Sequence, residues 1–431
     1  MLAIGILEIE ETVMLAPVLE VYVVWHPQEV QNAEAIALDL AEHFQGGAFG
    51  SLLSGAVEVY VRSAPWENGD ASPRPIVWPG SAPAAGNVAP ALFTAVVPIV
   101  GLQLARAVED ADGPWHAYLG DIVDARRLNP VHVCIFPLRL AGVQPSGRLG
   151  NLLSGHQYLG EPDAHSTSKE PIDELRHRDL AQGLAQWISP QRGERLCVFI
   201  SHTKRQGSPD EPVGSLLQQV REVFDNSRVS AFFDAHDLQP GEDWNRALRQ
   251  KAGASALLAL RTDLYATREW CQREMLTAKV NGMPVVVLEA LTQGEVRGSF
   301  LMDHMPRIPV HRDTPDHWSV ACIRRAVNLL ADAWLHRVLW LRQRELAAEH
   351  TDLKRYWWAP HAPEPSTFTA WLPEVTAMRA SASGPDGDLH VLHPDPPLGA
   401  DERNVLQQIA SLAGHSALDL TTPRLLSARG A

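Results

Sequence analysis

A chain of 431 residues is long for one hydrophobic core and comfortable for two or three. Its 45% apolar and 20% charged residues exclude a disordered chain. Its formal net charge of -14 argues against nucleic acid as a general partner, because that affinity comes from neutralised phosphates. Cys134, Cys197, Cys271 and Cys322 have no C-x-x-C spacing, which speaks against a structural zinc site or a disulfide framework and for a reduced, cytoplasmic setting. The opening MLAIGILEIEETVM has acidic residues where a signal peptide needs basic ones. Residues 75–105 carry no charge, but Pro79, Pro83, Pro90 and Pro98 interrupt them, so a loop leading into a buried strand is expected there, with no membrane span. A soluble protein is expected.

In chain order, LEVYVVW (19–25) is a strand rich in β-branched and aromatic residues, and AEAIALDLAEHF (33–44) has helical spacing. Strands are expected over 57–66, 91–100 and 131–140, with a helix over 115–126. Alternating strands and helices with continuously apolar strands imply a parallel sheet covered on both faces. Polar, Gly-rich sequence from 142 leads to a helix over 171–188. A second alternating block spans 196–310. A long helix follows from about 318 to about 350, then a cluster of Trp357, Trp358 and Trp371, and a strand–helix–strand ending over 390–426. The expected division is an α/β domain over 1–141, a linker and helix over 142–194, a second α/β domain over 195–314, and a helical plus small α/β region over 315–431.

The middle block carries the chemistry. RLCVFISHTKR is an apolar strand ending in Ser201, His202, Thr203 and Lys204, and open parallel sheets bind ligands beyond the carboxyl ends of their strands. SAFFDAHDLQPGEDW places a buried strand before an acidic loop. SALLALRTDLYATREWCQREMLTAK runs from a strand into a helix on which Trp270 and Glu274 are four apart and share a face. An aromatic plane beside a carboxylate suits a planar base and a ribose.

FISHTK, FFDAHDLQPGEDW and the E-W-C-x-x-E helix, in that order and spacing, resemble a bacterial TIR (Toll/interleukin-1 receptor) domain of the NAD-cleaving, anti-phage effector type. The likeness covers roughly 195–312, a little over a quarter of the chain. It implies a flavodoxin-like parallel sheet of five strands and cleavage of the nicotinamide–ribose bond of NAD, which is then substrate and not cofactor. It implies Glu274 as the essential carboxylate. Substrate binding falls to Trp270, to Ser201, His202, Thr203 and Lys204, and to Asp234 and Asp237. Some members have a basic residue in the loop over 235–243, where this chain has His236 and Asp237. The first block is similar to a second TIR-like or Rossmann-like unit, with Trp25, His26 and Pro27 after its first strand; it has no W-C-x-x-E equivalent, so a non-catalytic sensor or assembly role is expected.

The chemistry needs one carboxylate. Departure of nicotinamide leaves positive charge on the ribose, as in glycoside hydrolysis, and a fixed carboxylate near C1′ stabilises it. Nicotinamide leaves as a neutral molecule, so no general acid is required. Glu274 as a solvated carboxylate, Trp270 as packing and His202 as an inert strand-end residue are the alternatives, and Cys271 fits a small buried hydrophobe better than a nucleophile. His311 and the other histidines lack metal-ligand spacing.

The resemblance also implies a function: an NAD+ nucleosidase giving nicotinamide and ADP-ribose or cyclic ADP-ribose in prokaryotic anti-phage immunity. Self-association through TIR domains and an unnamed trigger or partner defence protein would control it. The alternative is a non-catalytic TIR scaffold that assembles with such a partner.

Overall fold

The computed structural model describes residues 17–46, 57–65, 72–81, 90–160, 170–191, 195–203, 213–225, 227, 229–232, 254–295, 297–315, 317–350, 353–381 and 388–429. The first sheet is built from β1 (Leu19–Val24), β2 (Val57–Arg62), β3 (Phe93–Val100), β4 (Val133–Ile135) and β5 (Leu138–Arg139). Its order is β2-β1-β3-β4, with β5 also on β3, and every pairing is parallel. All residues of β1 and β3 are buried, as their unbroken apolar runs require. Helices α1 (Val30–Gln45), α2 (Leu102–Glu109), α3 (Pro114–Leu128) and α4 (Gly147–Leu152) connect and cover the sheet.

The single strand expected over 131–140 is two strands. Pro137 has no N–H to give to the ladder, and its carbonyl accepts instead from the Leu159 N–H at 2.8 Å. Pairing to β3 resumes on either side, through Phe136 N–H to the Val96 carbonyl and Leu140 N–H to the Val100 carbonyl.

The second sheet contains β6 (Cys197–Ser201), β7 (Ser230–Phe232), β8 (Ala256–Arg261), β9 (Val285–Glu289) and β10 (Arg307–Pro309). Its order is β10-β9-β8-β6-β7, all parallel. The chain moves from β6 outward to β7 and then crosses back to β8, so the strand order reverses between β6 and β8, where a doubly wound sheet opens a crevice. Helix α5 (Ile172–Ile188) leads into this sheet, and α6 (Val213–Asp225) and α7 (Glu269–Val280) alternate with its strands.

A short antiparallel ribbon, β11 (Arg312–Thr314) with β12 (His317–Trp318), precedes the long helix α8 (Val320–Ala347). Trp318 thus belongs to the ribbon, its N–H donating to Gln219 Oε1 at 2.8 Å, and the helix starts two residues later. Helices α5 and α8 pack on each other, and α8 also lies against β8, β9 and β10. One core runs from Val21 and Phe93 through Leu184 to Leu258 and Leu335, joining both sheets.

The third sheet is β13 (Trp357–Trp358), β14 (Leu389–Leu392) and β15 (Leu418–Thr421), parallel and in that order. Helices α9 (Pro365–Ser381), α10 (Ala400–Leu412) and α11 (Pro423–Arg429) belong to it, and Phe368, Trp371, Val391 and Leu406 form its separate core. The tryptophan cluster is this strand plus its support: Trp357 lies 5.3 Å from Trp371 and Trp358 4.8 Å from Trp340. Among the described residues no helix is long and apolar enough to cross a membrane.

Candidate active site

Strand β6 is apolar until Ser201, its last residue, which therefore sits at the carboxyl end beside the crevice. Strand β8 ends at Arg261. The chain then makes a 3-10 turn over Tyr265–Thr267, and Arg268, extended, caps α7. Glu269 in the first turn suits the helix dipole and pairs with Arg273 one turn on. Starting the helix here puts Glu274 in its second turn, facing back over the end of β6.

Glu274 is only 6% exposed, and its Oε2 accepts a hydrogen bond from Ser201 Oγ at 2.5 Å. Ser201 Oγ is also 2.7 Å from the Tyr265 hydroxyl. A serine has one hydrogen to give. If it goes to the carboxylate, Tyr265 must donate to Ser201, and a two-hydroxyl relay then points at Glu274. Burial first, then the charges of Cys271 and Glu274, push the Tyr265 phenol well above its usual range, so it stays a donor. The Cys271 thiol is pushed up to about 12, by burial first and then by the Glu274 carboxylate. It donates to the His202 carbonyl at 3.7 Å. A thiol so disfavoured as thiolate packs and does not attack.

On the far side of the crevice the polar groups are committed to each other. Arg261 pairs with Glu295 at 2.5 Å and Glu289 at 3.2 Å, and the Glu295 bonds raise its pKa further. The Asp263 carboxylate accepts from the N–H groups of Thr292, Gln293 and Gly294 at 2.9–3.1 Å. These ties join the loop after β8 to the one after β9. The opposite side carries Ser201 and Glu274.

Residues 198–317 match the family model described as TIR domain. The chain contains a TIR domain. No curated protein matches the chain. The match starts inside β6 and ends inside β12, so both Ser201 and Glu274 lie within the TIR domain. TIR domains include NAD-cleaving enzymes and scaffolds.

Of the residues singled out by sequence, the fold brings together Glu274, Ser201 and the His202 backbone. Thr203 is buried just beyond, and the His202 ring turns to the Thr203 carbonyl at 2.9 Å. Trp270 is half-buried against the main core, one turn before Glu274. Lys204, Asp234, His236 and Asp237 lie outside the described residues. Tyr265 was missed. Its signal is faint: an apolar L-Y-A triplet at the end of a polar loop, where an exposed turn would have no need of it. Among the described residues no group of three or more His, Cys, Asp or Glu is arranged to hold a metal ion, and all four cysteines are free.

The matching position in the first sheet is occupied by the chain itself. The Glu29 carboxylate caps the amino end of α2 at the Gln103 N–H, and a Cβ on Gly101 would fall within 2.3 Å of it. The His26 ring lies 5.2 Å from Trp115.

Proposed function

We propose that the TIR domain is an NAD+ nucleosidase with Glu274 as its catalytic carboxylate. The observation that carries this reading is the buried Glu274 held by Ser201 at the carboxyl end of β6, beside the reversal of strand order. A carboxylate buried in that place is costly without a use, because desolvation penalises its charge. A positioned negative charge is what an oxocarbenium-like ribose needs.

The bond between C1′ and the pyridinium nitrogen breaks, its electron pair neutralises the nicotinamide, and the ribose carries the positive charge beside Glu274. Water adds at C1′ and loses one proton, giving ADP-ribose; attack by a ring nitrogen of the adenine gives a cyclic product instead. Ser201 and Tyr265 keep the carboxylate oriented, and Trp270 offers a plane for a base. The first-sheet unit, where the Glu29 carboxylate caps α2 at the Gln103 N–H, serves as a non-catalytic control element. In a prokaryotic host the outcome is NAD loss or a signal, and self-association through the TIR domain turns it on. A preparation that cleaves NAD while remaining monomeric by light scattering would contradict that last point.

The test is nicotinamide release from NAD by the full chain, with and without a crowding agent, against Glu274→Ala. The expected result is release by the wild type and loss in the variant. Equal release in both removes the catalytic assignment, and none from either under crowding favours a scaffold.

A further inference from the structure

The third sheet points the carboxyl ends of β13 and β14 at the underside of the TIR sheet. Between them lies a cavity of about 340 Å³, lined also by the amino ends of β9 and β10 and by the middle of α8. This is far from the crevice at Ser201, which lies at the opposite strand ends. Its volume falls at the low end of the roughly 300–1,000 Å³ typical of small-molecule sites, and parallel sheets present such sites at their carboxyl ends.

The walls are apolar: Met283 and Pro284 before β9, Met305 before β10, and Leu329 and Ala333 on α8. Two thioethers side by side at the amino ends of β9 and β10 suit a flat, polarisable occupant. The cations at the edge are already committed to the frame. Lys279 pairs with Glu364 at 2.5 Å and donates to the Leu301 and Asp303 carbonyls, and Arg337 Nε donates to the Gly282 carbonyl at 3.0 Å.

What the lining offers in addition is acceptors. Asp395, just after β14, accepts the Arg424 N–H at 3.2 Å with Oδ2, while its buried Oδ1 has no hydrogen-bond partner among the described residues. Asp332 lies on α8, bonded to His43 at 3.1 Å. His336, one turn along the same helix, is kept neutral by burial, which lowers its pKa to about 4. A phosphate here would meet two carboxylates and cations already engaged. A neutral ring bearing N–H donors would meet acceptors and apolar faces.

We infer that this cavity is a binding site for an uncharged nitrogen heterocycle of nucleobase or nucleoside size. It does not depend on the proposed NAD cleavage, since binding is measured directly. The occupant would lie against Lys279 and Gly282, at the end of the helix that carries Glu274.

Isothermal calorimetry on the full chain with adenine, adenosine and AMP tests it, with Ala333→Phe to fill the cavity and Asp395→Asn to change its acceptor. The expected result is saturable binding of adenine or adenosine, at least tenfold weaker binding of AMP, and at least tenfold loss in either variant. Should Ala333→Phe fail to fold by circular dichroism, Asp395→Asn carries the comparison. No saturable binding of adenine or adenosine, or AMP binding as tight as adenosine, overturns the assignment. Affinity unchanged in the folded variants places the ligand elsewhere and also overturns it.

Discussion

Ser201 is worth more to Glu274 than one ordinary hydrogen bond, because the carboxylate it serves is almost out of reach of water. Ser201→Ala removes that donor and leaves the Tyr265 hydroxyl without its acceptor, a cost of about 1–3 kcal/mol in unfolding free energy. Denaturant unfolding should show a lower midpoint, and nicotinamide release should fall about tenfold as the carboxylate loses its aim. Tyr265→Phe, one hydroxyl further away, should cost less in both. Cys271 makes the opposite case: a thiol pushed up to about 12 is a packing group. Cys271→Ala should keep nicotinamide release within about threefold of wild type, and a larger loss would return the cysteine to the chemistry.

Helix α7 is held at its far end by the third-sheet unit. The carbonyl of Lys279 lies 2.8 Å from His361 Nε2, and that of Val280 accepts from Trp371 Nε1 at 2.8 Å. These are last-turn carbonyls that no intrahelical donor serves. The Lys279 ammonium is itself buried against Glu364, its pKa lowered by burial while the Glu364 carboxylate opposes the shift. Glu364→Gln would strand that cation at about 3–5 kcal/mol, whereas the double change Lys279→Met with Glu364→Leu should recover most of the loss. Denaturant midpoints of the three variants check this, and a double variant no better than the single would refute a dominant role for the ion pair. Elements of this kind explain what the sequence made legible. Trp270 and Glu274 share a helix face within one turn, and Ser201 closes an apolar run, so local spacing found them. Tyr265 meets Ser201 across 64 residues, and β13 has only two residues, so no local pattern announces either. Pro137 was visible, but its effect depended on β3 lying alongside.

At the scale of the whole molecule the units share a core and a set of buried histidines. His43 and His177 stack at 4.1 Å where α1, α5 and α8 meet, paired with Asp332 and Asp39. Burial lowers the pKa of His26, His177, His336, His361 and His393, to about 4 for His336. Near pH 7.5 these groups are neutral in both folded and unfolded chains and cost nothing. As pH falls below about 6.5 the unfolded chain takes up protons first, so stability drops, by at most about 1.4 kcal/mol per pH unit for each histidine. The loss from each levels off only once pH has passed its folded pKa. Glu20, raised by burial, acts the other way, but only nearer the carboxylate range. The melting temperature should therefore fall between about pH 7.5 and 5.5, and fall less in His336→Leu. A melting temperature that rises over this interval would mean that the histidines are charged in the fold.

The most direct measurement is steady-state NAD cleavage by Glu274→Gln, a substitution that keeps the side chain's size and removes its charge, paired with calorimetric NAD binding to the same sample. Nicotinamide release should fall at least about a hundredfold while NAD still binds, because the lost charge acts on the transition state more than on the substrate. Release at the wild-type rate from a folded Glu274→Gln protein would contradict the assignment of that carboxylate.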